Sequence, residues 1–201
     1  MRVVLATRNQ GKVRELAPLF DELGLGFEIV AIDDVAPRAE LREDGHTFEE
    51  NALAKARQAA AATGLPALAD DSGLEVDALG GAPGVYSARY AGVGATDAAN
   101  NAKLEAALRG IPADRRTARY RCVAAFVDPT RGLEITRAGA CEGTLLEAPR
   151  GAGGFGYDPY FLVPARALTM AEIPLDEKNQ LSHRSAAFRA LAVALAELRG
   201  R

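Results

Sequence analysis

Short apolar segments alternate with longer segments of helical periodicity along this chain, and this alternation constrains its fold more than any other feature. The predicted short strands are Val3–Ala6, Phe27–Ile32, Pro66–Ala69 and Tyr160–Val163. The predicted helices are Gly11–Leu23, Thr47–Ala62, Asp97–Leu108 and a last helix that begins at Ser182. Two longer β-rich segments, Arg119–Val127 and Leu133–Cys141, flank a turn and predict an antiparallel hairpin. The pattern predicts an α/β protein with a mixed sheet covered by helices.

The composition is that of a globular protein and argues against several classes of function. Apolar residues make up 48% of the 201 residues and charged residues 25%, which excludes wholesale disorder. The formal net charge of −3 argues against a basic nucleic-acid-binding surface. Apolar runs are too short for a membrane span or a signal peptide. Cys122 and Cys141 form no metal-binding pattern, so we expect reduced thiols and a cytoplasmic location.

A polar loop, Thr7-Arg8-Asn9-Gln10-Gly11-Lys12, joins the first predicted strand to the first predicted helix. The N-terminus of a helix offers unpaired N–H groups and partial positive charge, which favour an anion. Gly11 would allow close approach of the backbone, and Lys12 adds a full positive charge. The alternative is an ordinary capped helix start with a solvated lysine.

Two groups of carboxylates are candidates for metal binding. Asp70 and Asp71 follow an apolar strand, and open α/β sheets place ligands at the carboxyl ends of their strands. Adjacent like charges need a cation or hydrogen-bond donors, which makes a divalent metal the natural partner. Glu43 or Asp44, in the acidic segment before Thr47, could reach the same metal. The alternatives are a solvated turn in which Asp70 caps the helix that follows, and a common acidic surface segment.

The segment Gly151–Tyr160 places four glycines around aromatic residues. A ring flanked by glycines can present its face to a planar ligand. A glycine-rich loop whose aromatic residues belong to the core is the alternative.

The segment Lys178–Ser185 departs from the usual distribution of charge on helices. His183 and Arg184 fall in the first turn of the predicted last helix, and Lys178 falls just before it, although cations are favoured at helix C-termini. Because an anionic ligand would make this arrangement favourable, the segment is a candidate binding site. Asp176 and Glu177 could instead offset the charge.

Five segments, taken together and in order, resemble one family. They are LATRNQGKVREL, DGHTFEENALAKAR, ADDSGLEVDALGGAPGVYSARYAG, GGFGYDPYF and EKNQLSHRSAAFRAL, and they extend from residue 5 to residue 191. The chain resembles the inosine/xanthosine triphosphate pyrophosphatases, which act on noncanonical purine nucleotides. The resemblance implies one domain over residues 1–201, with an elongated mixed β-sheet flanked by helices and two lobes with a central cleft. It also implies a homodimer that uses Mg²⁺ to hydrolyse XTP, ITP and dITP to monophosphate and pyrophosphate, clearing deaminated purines from the nucleotide pool.

The resemblance assigns roles to individual residues. Thr7 to Lys12 resemble the triphosphate-binding loop. Asp71 matches the proton acceptor and metal ligand, Ser72 matches a substrate contact, and Glu43 is chosen as the second metal carboxylate. The positions that resemble the nucleoside-recognition residues are Phe155, Gly156, Tyr157, Asp158, Lys178, His183 and Arg184.

These roles suggest a mechanism in which water attacks the α-phosphorus and pyrophosphate leaves. Lys12 and the helix N-terminus would hold the outer phosphates, while Asp71, or Asp70, would deprotonate the water. The ring of Phe155 would stack on the base. Donors from His183, Arg184 or nearby backbone would read the oxygen at C6 of the purine, where adenine carries an amino group.

Three other functions remain open at this point. A pyrophosphatase of the Maf type is disfavoured by the SHR and FGYD segments. A nucleotide-binding regulator without turnover is disfavoured by the presence of Asp70, Asp71 and Lys12 together. A nucleic-acid-binding protein that reads modified bases is disfavoured by the acidic net charge. We expect a small-molecule partner, with no nucleic acid and no membrane.

Overall fold

The structure, a computed structural model, describes residues 1–199, which form seven β-strands and six α-helices. The strands are β1 (Arg2–Leu5), β2 (Glu28–Ala31), β3 (Ala67–Val76), β4 (Thr117–Asp128), β5 (Leu133–Leu145), β6 (Phe161–Val163) and β7 (Leu168–Thr169). The helices are α1 (Gln10–Leu23), α2 (Ile32–Val35), α3 (Phe48–Thr63), α4 (Asp97–Leu108), α5 (Leu175–Leu181) and α6 (His183–Arg199). No helix within residues 1–199 is long and apolar enough to cross a membrane.

All seven strands belong to one mixed sheet, in the order β2-β1-β3-β4-β5-β6-β7. β1 pairs in parallel with β2 and with β3, where Leu5 lies opposite Leu68. β6 pairs antiparallel with both β5 and β7. β4 and β5 are neighbours joined by four residues, a connection short enough only for an antiparallel hairpin. The prediction of an α/β protein with a mixed sheet and helices is therefore confirmed.

The chain divides into two compact units, each with its own hydrophobic core. The first unit comprises Met1–Asp71, Cys122–Gly139 and the described part of His183–Arg201. The second comprises Ser72–Arg121 and Ala140–Ser182, so β3, β4 and β5 contribute residues to both units. In the first core, β1, β3 and β4 pack against α1 and α6, and the rings of Phe20 and Phe188 meet edge to face at 5.4 Å. The second core gathers apolar residues of α4 and of β3 to β6.

Local sequence signals explain where the helices begin. Thr47 accepts a hydrogen bond from the backbone of Glu50, whose side chain accepts from the backbone of Thr47, and this capping box starts α3 as predicted. Thr96 caps α4, whose bounds are those predicted from the sequence. α3 ends at Thr63, and the next residue, Gly64, caps it in the left-handed backbone conformation that favours glycine.

The strand that carries the two aspartates is longer than the sequence predicted. We expected it to end at Ala69, with Asp70 and Asp71 directly after it at the carboxyl edge of the sheet. This expectation is wrong, because β3 continues through both aspartates to Val76. Aspartate is disfavoured in strands, but charged side chains from other elements compensate these two carboxylates.

The region of the predicted last helix contains two helices. α6 begins at His183 and not at Ser182, which is the C-terminal cap of α5. α5 was not predicted, although Pro174 precedes it and Asp176 and Glu177 occupy its first turn. Lys178 therefore lies within α5, whereas His183 and Arg184 do open α6.

Candidate functional site

Asp70 and Asp71 form the centre of a cluster of charged side chains in the first unit. Because successive side chains of a strand point to opposite faces of its sheet, the two carboxylates have different neighbours. Asp70 faces α1 and α6, where it meets Lys12 and Arg184. Asp71 faces α3 and meets Lys55. We call these residues, with Glu15, Glu43 and Asn51, the acidic-strand cluster.

Asp70 is held by two cations in a fully buried position. The Nζ atom of Lys12 lies 2.8 Å from its Oδ2 atom, and the Nε atom of Arg184 lies 3.2 Å from the same oxygen. Arg184 also pairs with the buried carboxylate of Glu15. The Cys122 thiol, on the neighbouring strand β4, lies 3.7 Å from the Oδ2 atom of Asp70. On this side of the cluster, opposite charges compensate one another.

Asp71 interacts with an amide and an ammonium group that α3 supplies. Its Oδ2 atom accepts a hydrogen bond of 2.9 Å from the Nδ2 group of Asn51. Its Oδ1 atom lies 3.7 Å from the Nζ atom of Lys55. That ammonium group also pairs with Glu43 and donates to the backbone carbonyl of Asp70 at 2.6 Å. The carboxylates of Glu43 and Asp71 thus converge on one positive charge.

The two aspartates differ in the direction in which their pKa values move. Burial by itself raises the pKa of Asp70, but the charges of Lys12 and Arg184 outweigh burial and lower this pKa far below its ordinary value of 3.8. Burial raises the pKa of Asp71 above its ordinary value, and the charges of Lys55 and Lys12 offset only part of that effect. Asp70 is therefore a permanently charged anchor, and Asp71 is the carboxylate better suited to accept a proton.

Lys55 remains charged although it is buried. Burial lowers the pKa of this ammonium group, but the carboxylates of Asp71, Asp70 and Glu43 outweigh burial and raise the pKa above its ordinary value. A buried lysine that stays charged can neutralise an anionic ligand without first taking up a proton.

The donor set of Glu43 and Asp71 fits a hard divalent cation. Their shared contact with the ammonium group of Lys55 shows that both carboxylates can approach the same positive charge. Within residues 1–199 no group of three or more acidic, histidine or cysteine side chains could hold a metal by itself. Mg²⁺ commonly uses one or two carboxylates and completes its coordination with water and substrate phosphates. Two converging carboxylates are therefore sufficient for it.

Hydrogen bonds among its own residues hold the loop from Thr7 to Lys12 at the start of α1. Thr7 accepts a hydrogen bond from the backbone of Asn9, and the Oδ1 atom of Asn9 accepts from the backbone N–H groups of Gly11 and Lys12. Gln10 is exposed as the first residue of α1. Asn9 is thus an ordinary helix cap, and Lys12 is the cation of this loop that contacts Asp70.

Arg8 points away from the acidic-strand cluster. Its guanidinium pairs with Asp33 at 2.7 Å and donates to the backbone carbonyls of Pro37 and Ala39. It therefore ties the loop to the segment that follows α2.

The predicted nucleoside-recognition residues of the second unit lie around one loop, residues 154–158, which we call the aromatic loop. The Oδ2 atom of Asp158 accepts from the backbone of Phe155 at 3.0 Å and pairs with Lys178 at 2.6 Å. The Nζ atom of Lys178 lies 5.3 Å from the centre of the Phe155 ring. A side chain at Gly154 would overlap the carboxylate of Asp158. The loop therefore holds one aromatic face beside one buried ion pair.

The aromatic loop is anchored to its own unit at two places. Asp97 accepts from the backbone N–H of Gly156 at 2.7 Å, and Asn101 donates to the carbonyl of the same residue at 3.0 Å. The hydroxyl of Tyr157 donates to the backbone of Ser87 at 2.8 Å, and burial raises the pKa of this tyrosine. Tyr157 is consequently a buried structural ring.

The remaining predicted residues lie at the ends of secondary structure or next to the aspartates. Ser72 follows Asp71 in β3 and is partly buried, whereas His183 is buried in the first turn of α6. In the first unit the structure brings together Lys12, Glu43, Asp70, Asp71 and Arg184. In the second unit it brings together Phe155, Asp158 and Lys178.

Arg184 does not present its guanidinium to solvent, because its carboxylate partners and the core enclose it.

Sequence reasoning missed three polar residues of the acidic-strand cluster, Glu15, Asn51 and Lys55. The signal was present, because each lies on the buried stripe of an amphipathic helix. The buried positions of α3 are Phe48, Asn51, Ala52, Lys55, Ala56, Ala59 and Ala60, which recur at helical spacing. A lysine among alanines on such a stripe needs a buried partner, and this requirement indicates a site.

The fold and the site together define a class of protein. It is an α/β protein in which two lysines and two converging carboxylates lie together at one strand of the sheet, β3. This arrangement suits a polyanionic ligand and a divalent cation.

Comparisons with known proteins agree with this class. A model of the Ham1 family matches residues 3–194. The dITP/XTP pyrophosphatase of Geobacter sulfurreducens is 55% identical over 192 residues, covering 96% of this chain and 94% of the relative. The dITP/XTP pyrophosphatase of Symbiobacterium thermophilum is 57% identical over 197 residues, covering 98% and 94%. The solved structure of a HAM1 protein from Coxiella burnetii is 42% identical with a TM-score of 0.87, covering 98% of this chain and 99% of that one.

The chain belongs to the Ham1 family. The resemblance inferred from the five segments is therefore confirmed.

Proposed function

We propose that this protein is a nucleoside triphosphate pyrophosphatase that hydrolyses the noncanonical purine nucleotides XTP, ITP and dITP to monophosphate and pyrophosphate. The relatives named dITP/XTP pyrophosphatase support this class of enzyme. The observation that carries the proposal is the acidic-strand cluster, in which Lys12, Lys55 and Glu43 gather around the two aspartates of β3. Its biological role would be to remove deaminated purines from the nucleotide pool.

The triphosphate would bind to the positive groups of the first unit. The ammonium groups of Lys12 and Lys55 are desolvated, which strengthens their interaction with phosphate oxygens. The loop from Thr7 to Lys12 would supply further donors. Ser72, directly after Asp71, is the proposed additional contact to substrate.

Asp71 is the proposed proton acceptor. Water would form a bond to the α-phosphorus, its proton would pass to Asp71, and the bond between the α-phosphorus and the bridging oxygen of pyrophosphate would break. Asp71 is favoured over Asp70 because Lys12 and Arg184 already hold Asp70 in its charged form inside the core. Lys55 would hold the carboxylate of Asp71 towards the phosphate.

Glu43 and Asp71 are the proposed ligands of Mg²⁺. When bound, the ion would offset negative charge on the phosphates and on the departing pyrophosphate. Glu15, Glu43, Asp70 and Asp71 contribute four negative charges, against three positive charges on Lys12, Lys55 and Arg184. This net negative charge of the cluster would favour binding of a cation before binding of a triphosphate.

The aromatic loop is the proposed base-recognition element. Phe155 offers a ring face, and Lys178 and Asp158 supply a buried ion pair beside it. Gly156 and Tyr157 would shape the loop, and His183 and Arg184 are the proposed contacts from α6. Buried donors that meet the C6 oxygen of hypoxanthine or xanthine would instead face the amino group of adenine. Each such mismatch costs about 1–3 kcal/mol.

We propose further that the enzyme acts in the cytoplasm as a homodimer, without a nucleic-acid or membrane partner. The negative net charge supports the absence of a nucleic-acid partner. Sedimentation of the purified protein measures its oligomeric state directly.

The proposal is tested by product analysis with Mg²⁺ and a panel of ITP, XTP, dITP, ATP, GTP and dTTP. Phosphate is measured with and without added inorganic pyrophosphatase, which distinguishes pyrophosphate release from direct phosphate release. Pyrophosphate from ITP, XTP and dITP, with little from the other nucleotides, is the expected result. Direct phosphate release, activity on dTTP alone or no turnover would each overturn it.

A further inference from the structure

Asn51, a residue without an assigned role, connects the two carboxylates proposed to bind the cation. It lies in the first turns of α3 and is fully buried. Its Oδ1 atom accepts a hydrogen bond of 2.8 Å from the backbone N–H of Gly45. Its Nδ2 group donates a hydrogen bond of 2.9 Å to the Oδ2 atom of Asp71. One side chain thus bridges β3 and the loop that contains Glu43.

The orientation of this amide is fixed by its partners. The backbone N–H of Gly45 can only donate, so it requires the oxygen of the Asn51 amide. The NH₂ group is consequently directed at Asp71, which as a carboxylate can only accept. Reversing the amide would place a donor against a donor and an acceptor against an acceptor. The Oδ2 atom of Asp71 therefore has a fixed direction relative to Gly45.

The absence of a side chain at Gly45 allows its backbone to approach Glu50 and Asn51 closely. A Cβ atom at this position would lie 2.7 Å from the Cβ atom of Glu50 and 2.8 Å from the Oδ1 atom of Asn51. The following residues are also held, because the side chain of Glu50 accepts from the backbone N–H groups of His46 and Thr47 at 2.7 and 3.1 Å. The loop is therefore attached to the start of α3 at three consecutive residues, two positions after Glu43.

We propose that Asn51 is a positioning residue that holds Glu43 and Asp71 in the relative arrangement required by a divalent cation. The inference rests on the proposed function, in which these two carboxylates are the metal ligands. The bridge runs from Asp71 through Asn51 to Gly45 and along two residues to Glu43. Groups that orient metal ligands in this way typically change metal affinity by about 10- to 100-fold.

The chain contains a matched control for this role. Asn100 occupies the same position in α4 that Asn51 occupies in α3, four residues after the capping threonine, and it is also buried. Its Oδ1 atom accepts from the backbone of Ala91 at 2.8 Å, as that of Asn51 does from Gly45. Its Nδ2 group, however, donates to the backbone carbonyl of Ala88 and not to a carboxylate. The two asparagines share the structural role and differ in the group that receives the NH₂ donor.

The test compares Asn51→Ala with Asn100→Ala in the full-length protein. Binding of Mn²⁺ alone is measured by electron paramagnetic resonance, and the Mg²⁺ concentration for half-maximal pyrophosphate release is measured in parallel. We expect Asn51→Ala to weaken Mn²⁺ binding at least tenfold and to raise the required Mg²⁺ concentration, while Asn100→Ala changes neither. Circular dichroism verifies that both variants are folded.

Unchanged Mn²⁺ binding in Asn51→Ala overturns the inference, and so does an equal loss in both variants, which would reflect a general effect of removing a buried amide. Failure of the wild-type protein to bind Mn²⁺ also overturns it. If Asn51→Ala does not fold, Gly45→Ala decides by the same measurement, because its new methyl group displaces the Oδ1 atom of Asn51. A wild-type protein that binds Mn²⁺ but releases no pyrophosphate would overturn the proposed function and leave this inference standing.

Discussion

Asp70 and Asp71 are consecutive residues of β3, yet their carboxylates have different charged neighbours and different degrees of compensation. Asp70 lies between the ammonium of Lys12 and the guanidinium of Arg184, in the core of the first unit. Asp71 faces α3 and accepts a hydrogen bond from Asn51. Asp70 therefore anchors cations, and Asp71 is the proposed proton acceptor. This division of roles leads to several tests.

Replacing Asp71 with asparagine should remove turnover and preserve the fold. The substitution keeps the size of the side chain but removes the proposed proton acceptor, and general-base catalysis typically contributes about 10²- to 10⁴-fold. We expect pyrophosphate release from ITP to fall by a factor in that range, while calorimetry still detects nucleotide binding. Near-normal turnover would remove Asp71 from the proposed role.

Replacing Asp70 with asparagine should instead destabilise the protein. The change leaves Lys12 and Arg184 without their shared buried carboxylate, and breaking a buried ion pair typically costs about 3–5 kcal/mol. Urea unfolding measures the free energy of unfolding. Asp77→Asn is the control, since Asp77 pairs with Arg119 at the exposed surface, and we expect it to change stability little. Equal stability of the two variants would contradict the anchoring role.

The contribution of Asp70 should disappear in acid. Its folded-state pKa is lowered below the ordinary value of 3.8, so the unfolded chain takes up the proton first as pH falls. The stabilisation is fully present above pH 3.8 and is lost as pH falls towards the folded-state pKa. We therefore expect the difference in unfolding free energy between the wild type and Asp70→Asn to stay constant from about pH 6 to about pH 5 and to narrow as pH falls further to about pH 3. A constant difference would show that Asp70 contributes through packing alone.

Replacing Arg184 with alanine should affect folding as well as selectivity. The sequence alone assigns Arg184 to reading the C6 oxygen of the purine, and loss of that contact would weaken hydrolysis of ITP. The structure predicts a large loss of stability, because Glu15 and Asp70 would remain as buried carboxylates without their guanidinium. The expected cost is about 3–5 kcal/mol in thermal or urea unfolding. The ratio of ITP to ATP hydrolysis, measured at a temperature where the variant is folded, then tests base reading separately.

Replacing Gly154 with alanine should disrupt the aromatic loop. The new Cβ atom would overlap the Asp158 carboxylate and displace it from the backbone of Phe155 and from Lys178. Gly156→Ala is the control, since both glycines have positive φ angles, of 70° and 60°, but a Cβ atom at Gly156 meets nothing within 4 Å. Backbone strain of about 1–2 kcal/mol is thus common to both variants. A higher KM for ITP in Gly154→Ala alone is expected, and equal KM values would contradict the role of Asp158.

Elements whose signals are local could be predicted from the sequence. The capping box at Thr47 and Glu50 started α3, and Thr96 started α4, because a helix cap involves only residues three positions apart. The hairpin of β4 and β5 followed from two β-rich segments around a turn. The five ordered segments were sufficient to indicate the family, since they depend on residue identity and not on contacts.

The length of β3 and the surroundings of its carboxylates depend on tertiary contacts that the sequence does not reveal. Two adjacent aspartates are unfavourable in a strand, and the cations that compensate them come from α1, α3 and α6, which are remote in sequence. The different roles of Asp70 and Asp71 depend on the alternation of side chains across a sheet whose neighbours the sequence does not specify. The roles of Lys55 and Asn51 also depend on tertiary contacts, because the role of a polar residue on the buried face of a helix depends on the group that it contacts.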